Sequence, residues 1–498
     1  MTKYILGIDQ GTTGTKAIVF DRAAHAVASA YSEFPQYYPQ PGWVEHNAGE
    51  IWTTTLHVVQ EALAQAGLVP SDLAAIGITN QRETTLFWDK KTGEPVCRAI
   101  VWQDRRTLPI CEHLIALGQA EIEERTGAPI VPNAAATKIK WLLDNNARVR
   151  QGVERGELIY GTIDTWLIWK LSGGAVHVTD YSNAAVTLLQ NAHTLDYDAG
   201  ILSELGIPRH ILPELRSSSE VYAYTDPAVF GARVPLAGDA GDQQAAAFGQ
   251  ACLKEGMVKN TYGTGSFMIL NTGDKYVAPV PGIFSPVLWV LGRGGRPCYG
   301  LEGMADVSGA VIQWLRDGLG IITASGQAEE LARTVADTGG VYFVPAFVGL
   351  GSPHFDSYAR GTIVGITRGT GRAHIARAAL ESMAYQVRDA LALMGKVSGV
   401  KVNALRADGG GAKSDFMLQF QADILGIPVE RPRITETTCL GAAYLAGLAV
   451  GYWNSLDEIA ANWARERLFE PSIPAARREE LYHGWQKAVG RAAGWLRE

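Results

Sequence analysis

A short structural unit is written twice in this chain, once at the start of each half, and that repetition fixes the architecture more tightly than any other feature. Tyr4-Ile5-Leu6-Gly7-Ile8 and Thr15-Lys16-Ala17-Ile18-Val19-Phe20 are apolar runs separated by the turn-prone Asp9-Gln10-Gly11-Thr12-Thr13-Gly14. The pattern predicts a β-hairpin with polar residues at its tip. The same order returns in Gly256-Met257-Val258-Lys259-Asn260-Thr261, then Tyr262-Gly263-Thr264-Gly265-Ser266, then Phe267-Met268-Ile269-Leu270. The chain has 498 residues, beyond the roughly 250–300 at which a single hydrophobic core stops growing. Two lobes of similar size with a cleft between them are therefore expected, one built on each hairpin.

The intervening segments read as α/β. Asn47 and Glu50 stand at capping-box spacing ahead of Ile51, Trp52, Leu56, Val59 and Leu63, whose spacing gives one apolar helical face. Leu73-Ala74-Ala75-Ile76-Gly77-Ile78-Thr79 reads as a buried strand running into the polar Asn80-Gln81-Arg82-Glu83-Thr84, the kind of strand end where α/β folds place ligand contacts. Ala404-Leu405-Arg406-Ala407 leads into Asp408-Gly409-Gly410-Gly411-Ala412-Lys413-Ser414 and a helix-period segment from Phe416 to Ile424. Glycines at such a turn let the backbone approach a ligand closely.

Composition removes several classes of function. A net charge of −7 and a pI near 5.9, with no run of Lys or Arg, give no basic field, so a nucleic-acid partner is not expected. The five cysteines, Cys97, Cys111, Cys252, Cys298 and Cys439, are odd in number and lack C-x-x-C spacing. Buried reduced thiols are expected rather than disulfides or a thiolate metal site. With no signal-peptide core after Met1 and no apolar stretch long enough to span a bilayer, a cytoplasmic protein without stable membrane association is expected.

The two Gly/Thr turns offer backbone N–H groups and hydroxyls suited to phosphate oxygens. Either alone is compatible with an ordinary tight hairpin; the pair, joined by Gly409-Gly410-Gly411, points to phosphate binding. There is no G-x-x-x-x-G-K-[ST] string, and no G-x-G-x-x-G follows the first strand, so neither a P-loop nor a dinucleotide fold is supported. Gly238-Asp239-Ala240-Gly241-Asp242-Gln243-Gln244 falls near the chain midpoint, where the lobes meet. A carboxylate there is placed to take a proton from an alcohol attacking phosphorus, although an isolated G-D-Q also serves to cap a helix starting near Gln243.

Taken in order, Asp9-Gln10-Gly11-Thr12-Thr13, Pro41-Gly42-Trp43-Val44-Glu45-His46, Thr79-Asn80-Gln81-Arg82-Glu83-Thr84, Trp102-Gln103, Gly161-Thr162-Ile163-Asp164-Thr165-Trp166-Leu167, Gly241-Asp242-Gln243-Gln244 and Tyr262-Gly263-Thr264-Gly265 closely resemble the glycerol kinases, a family within the FGGY carbohydrate kinases. The resemblance runs from Tyr4 to Trp485. It implies an α/β fold of two actin-like or hexokinase-like (ribonuclease H-like) ATPase domains with an interdomain cleft. Residues 1–247 would hold the polyol and the catalytic base, and residues 248–498 the nucleotide.

The same resemblance implies roles position by position. Asp242 would be the general base in ATP-dependent phosphorylation of glycerol to sn-glycerol 3-phosphate. Arg82, Glu83, Asp242 and Gln243 would bind the polyol hydroxyls, and Trp102 and Phe267 would wall its carbon chain. Thr12, Thr13 and Lys16 would line the γ-phosphate path, with Lys16 where relatives often carry Arg; Thr264, Gly309, Gln313, Gly410 and Ser414 would hold the rest of the ATP. Asp9 would organise Mg²⁺ through water. A homodimer or homotetramer is the assembly implied. Two departures bear on the acceptor: Asn133 and Ala134 stand where glycerol kinases carry Tyr and Phe, and Gly410-Gly411-Ala412-Lys413-Ser414 looks more like the xylulose kinases. A four- or five-carbon polyol or ketose is therefore the alternative acceptor. An actin- or chaperone-like ATPase is the alternative of another class, but it has no use for Arg82, Glu83 and Trp102 around a small acceptor.

Overall fold

The computed structural model describes residues 3–497. Its first hairpin pairs Tyr4–Gln10 antiparallel with Gly14–Phe20, and Ala26–Glu33 adds to the outer edge. Leu73–Asn80 lies parallel to Tyr4–Gln10 on the other side, followed by the parallel Pro235–Gly241 and the antiparallel Ser219–Tyr224. The second lobe repeats this order. Met257–Tyr262 pairs antiparallel with Ser266–Gly273, which pairs with Pro297–Ala305; on the far side lie the parallel Ala404–Asp408 and Val429–Pro432. An antiparallel strand again flanks the fifth, here Arg465–Phe469, and Val287–Val290 extends the other edge. Hairpins written twice in the sequence thus nucleate two sheets of one topology.

Local sequence accounts for the elements around these sheets. Asn47 caps the helix Ala48–Ala66 by accepting from Gly49 N–H. Glu50 does not complete the capping box; its carboxylate accepts from Tyr37 Oη at 2.7 Å and ties the helix start to the segment ahead of it. Between Leu73–Asn80 and Pro235–Gly241 the chain makes a mainly helical insertion with its own apolar core, including Leu114, Ile139, Tyr160, Leu188 and Ile211. Cys111, Cys252 and Cys439 are buried free thiols as expected, whereas Cys97 and Cys298 are only half-buried. No helix among the described residues is long and apolar enough to cross a membrane.

The lobes join through two helices, Asp242–Gly249 and Thr437–Ala449, in a core of their own that includes Phe248, Trp289, Tyr444 and Trp453. The first helix spans the expected boundary at 247/248. Thr437–Ala449 lies directly on the N-terminal sheet because three strands present glycine in register, Gly7 opposite Gly77 opposite Gly238. A Cβ on Gly7, Gly77 or Gly238 would stand 2.5, 2.0 and 2.5 Å from backbone atoms of Cys439, Ala442 and Ala446. No side chain fits there, so the helix backbone packs on the sheet backbone.

Candidate active site

Asp242 opens the helix that follows the strand Pro235–Gly241, where the unsatisfied N–H groups of the first turn favour negative charge. Its Oδ1 accepts from Gln243 N–H at 2.7 Å and lies 3.1 Å from Arg82 Nε. Gly241 is what lets the two meet, since a Cβ there would stand 2.6 Å from Arg82 Cδ. Burial raises the Asp242 carboxyl above its ordinary range; the charges of Arg82 and Lys259 oppose this and that of Glu302 adds to it. A carboxylate so raised is a better proton acceptor than one free in water.

Arg82 and Glu83 follow the strand Leu73–Asn80, at the same edge of the sheet. Arg82 is almost fully engaged: Nη1 and Nη2 donate to Glu302 Oε2 and Oε1 at 2.7 and 2.5 Å, and Nη1 also reaches Gln244 Oε1 at 3.3 Å. Glu83 adopts a left-handed backbone, φ 67°, a strain that non-glycine residues carry mainly at functional positions. Burial lifts its carboxyl to about 7 against the lowering charges of Lys138 and Arg82. Lys138 is itself buried and lowered to about 8 by desolvation, and its Nζ donates to the backbone oxygens of Asn133 and Glu83. Asn133 turns its Oδ1 to Arg105 at 3.1 Å, and Ala134 is fully buried.

Asp9 ends the first strand of the hairpin. Burial lifts its carboxyl to about 7, and the charge of Asp242 adds to the shift while Lys16 opposes it. Lys16 is half-buried and paired with Glu436 at 2.6 Å, from the segment that enters the helix Thr437–Ala449. Desolvation disfavours the Lys16 ammonium, yet the Glu436 hydrogen bond and the Glu436 and Asp9 charges raise its pKa overall. Trp102 Nε1 donates to Thr12 Oγ1 at 2.9 Å, which fixes an acceptor-wall candidate to a phosphate-path candidate; Thr13 beside it is exposed. Gln243 Oε1 accepts from the buried Lys259 Nζ, which also donates to Thr261 Oγ1 at 3.0 Å. Phe267 is half-buried on Ser266–Gly273, opposite Met304.

The other nucleotide candidates gather on the C-terminal lobe. The hairpin turn docks on the start of the helix Gly309–Asp317, with Gly309 N–H donating to Gly263 O at 2.9 Å and Ala310 N–H to Thr264 O at 3.1 Å. Gln313 is exposed one turn further along the same helix. Gly409, at φ 83°, closes against Tyr262, whereas a Cβ on Gly410 would meet nothing within 4 Å, so this glycine faces open space. Ser414 is already occupied: it caps the helix Asp415–Leu425 by accepting from Met417 N–H, and its hydroxyl donates to Glu329 Oε2 at 2.6 Å.

At the strand Pro235–Gly241 that leads to Asp242, three buried carboxyls, Asp164, Asp180 and Asp239, form a scaffold that motif reading did not reveal. Asn80 Nδ2 donates to Asp164 Oδ1 at 3.3 Å, Ser218 Oγ to Asp180 Oδ2 at 2.7 Å, and Asn183 Nδ2 to Asp239 Oδ1 at 3.4 Å. Burial pushes the Asp239 carboxyl well up, and the charges of Asp164 and Asp180 push it further. Glu302, Lys259, Lys138 and Glu436 also escaped motif reading, because each matters only through a partner distant in the chain.

Residues 4–249 match the N-terminal domain, and residues 258–450 the C-terminal domain, of the FGGY family of carbohydrate kinases. The chain belongs to that family. Among FGGY kinases, the glycerol kinase 2 of Thermotoga maritima is 57% identical over 494 residues, 99% of each chain. The glycerol kinase of Caldanaerobacter subterraneus is 56% identical over 499 residues, all of both chains. The crystal structure of the Plasmodium falciparum glycerol kinase with ADP superposes with a TM-score of 0.93 at 34% identity, covering 99% of this chain and 98% of that one.

Proposed function

We infer that this FGGY kinase transfers the γ-phosphoryl group of ATP to glycerol, forming sn-glycerol 3-phosphate. The observation that carries the reading is full-length likeness, at 56–57% identity, to glycerol kinases.

In the proposed reaction Asp242 accepts the hydroxyl proton as the alcohol oxygen attacks the γ-phosphorus, the bond to the bridging oxygen breaks, and ADP leaves. Arg82, Glu83 and Gln243 hold the glycerol hydroxyls, and Trp102 and Phe267 line its carbon edge. Residues 1–247 supply all of these groups but Phe267, and residues 248–498 supply Phe267 and most of the nucleotide contacts: Thr264 and Gly309 at the docked turn, Gln313 and Gly410 on the open face. Thr12, Thr13 and Lys16 flank the phosphate path. Ser414 acts at the adenine end by holding its helix in place, because its hydroxyl is engaged with Glu329.

Mg²⁺ is the metal this chemistry calls for, and the residues present fit it. Asp9 and Asp242 stand at strand ends of the same sheet, and the Asp9 carboxyl is raised first by burial and then by the charge of Asp242. Among the described residues no three His, Cys, Asp or Glu side chains cluster to hold a metal alone, which suits an ion that keeps its waters and takes phosphate oxygens as ligands. Bound there through Asp9, it would neutralise charge developing on the phosphates. ATP as donor places the reaction in the cytoplasm, and a homodimer or homotetramer is the proposed assembly, checked by sedimentation.

The acceptor is tested by comparing kcat/KM for glycerol, erythritol, ribitol, xylitol, xylulose and ribulose. Asn133 accepts from Arg105 at 3.1 Å, so its amide oxygen is already engaged. Glycerol is expected to lead, and Asn133→Tyr to leave that order unchanged. Preference for a five-carbon acceptor that is lost in Asn133→Tyr would overturn the glycerol assignment.

A further inference from the structure

The acceptor residues of the N-terminal lobe are held by charges from the other lobe. Glu302 lies within the strand Pro297–Ala305, is 4% exposed, and receives both Nη atoms of Arg82. Lys259, fully buried on Met257–Tyr262, grips Gln243 in the same way. Nothing in the reaction outlined above uses Glu302.

The geometry gives it a task. A guanidinium has five N–H groups in a rigid fork. Here two go to Glu302, one more to Gln244, and Nε faces Asp242, leaving one on Nη2 for a ligand. The carboxylate next nearest to the fork is Asp242, at 3.1 Å from Nε. Without Glu302, the strong preference of guanidinium for a bidentate carboxylate would turn Arg82 onto Asp242, occupying the oxygens that must accept a proton. Because Arg82 and Glu302 sit on different lobes, the correct aim exists only while the lobes are apposed.

We propose that Glu302 is the positioning residue of the acceptor site: from the nucleotide lobe it holds the two terminal nitrogens of Arg82 off Asp242, which only Nε faces, so that the acceptor site is complete only when the lobes meet. The proposal rests on Arg82 as an acceptor ligand and Asp242 as the base. An ordinary buried ion pair would stabilise the lobe interface and leave the chemistry alone, so the readout must be acceptor kinetics.

The test is a double-mutant cycle on the full chain, measuring kcat and KM for glycerol and for ATP in wild type, Glu302→Gln, Arg82→Gln and the double variant. Glu302→Gln is expected to lower glycerol kcat/KM by about 30-fold or more, through kcat as well as KM, with KM for ATP within about twofold. In the Arg82→Gln background the same change is expected to cost less than about threefold, since its target is gone. Glu302→Asp, which keeps the charge, should recover part of the loss, and it replaces Glu302→Gln in the cycle if that variant fails to fold. Equal losses in both backgrounds, or a loss below about threefold in wild type, would overturn the proposal. If Arg82→Gln alone leaves glycerol kcat/KM unchanged, it is the reading of Arg82 as an acceptor ligand that falls.

Discussion

The two lobes carry the same five central strands in the same order, yet present opposite chemistry to the cleft. After the fourth strand the N-terminal lobe displays Arg82 and Glu83, and the C-terminal lobe Gly409 and Gly410; both hairpin turns carry Gly and Thr, but only the first is entered through an aspartate, Asp9. A neutral polyol is recognised by charged side chains that form strong hydrogen bonds with its hydroxyls. A polyphosphate is recognised by backbone N–H groups, where a carboxylate would repel it. The difference teaches that the duplicated sheet supplies only strand ends facing a cleft, and that the residues set there decide which substrate each lobe takes.

The division breaks most sharply at Asp242. Asp242→Asn keeps shape and removes the carboxylate proposed as the base, so kcat should fall by about 1,000-fold or more while ADP affinity, measured by calorimetry, stays within about twofold. A variant that lost both equally would erase the distinction between the lobes.

The next largest effect concerns the surface where the lobes join. Gly77→Ala would place a Cβ 2.0 Å from Ala442 O, and forcing sheet and helix backbones apart should cost about 3 kcal/mol or more in urea unfolding. Gly410→Ala sharpens the contrast from the other side. Its Cβ meets only open space, so the melting temperature should hold, while KM for ATP rises by about tenfold if that space belongs to the nucleotide. An unchanged KM for ATP would move the nucleotide elsewhere.

A more gradual effect is in pH dependence, at a buried carboxyl of the N-terminal lobe. Asp239 is raised well above its unfolded value by burial and by Asp164 and Asp180. Its protonated form therefore contributes stability that is full below the unfolded pKa and declines as pH rises toward the folded one. The slope is about 1.4 kcal/mol per pH unit in that window. Asp239→Asn resembles the protonated acid, so its stability should fall less steeply than wild type between about pH 5 and 7. Parallel slopes would show that Asp239 is ionised in the fold.

Much of the fold is legible in the sequence. Asp9-to-Gly14 and Gly263-to-Gly265 mark both hairpins, Leu73 to Thr79 marks a central strand, and Gly241-Asp242-Gln243 marks the start of a helix, because each is a local pattern of turn and apolar residues. What stayed hidden depends on residues far apart in sequence. Glu302 meets Arg82 across 220 positions, and nothing local distinguishes it from any strand glutamate. Gly7, Gly77 and Gly238 each look like an incidental strand glycine until register aligns them. Asn47 and Glu50 have the spacing of a capping box, yet Glu50 is drawn away by Tyr37, a competition that spacing cannot convey.

The account stands on two substrates meeting in one cleft, and ADP release by the purified chain tests this most directly. With Mg-ATP alone, release should be slow; glycerol should raise it by about 100-fold or more, because the phosphoryl group has no other positioned acceptor, with glycerol 3-phosphate formed in equal amount. ADP release at the same rate with and without glycerol would contradict the account and leave an ATPase that uses this fold for something else.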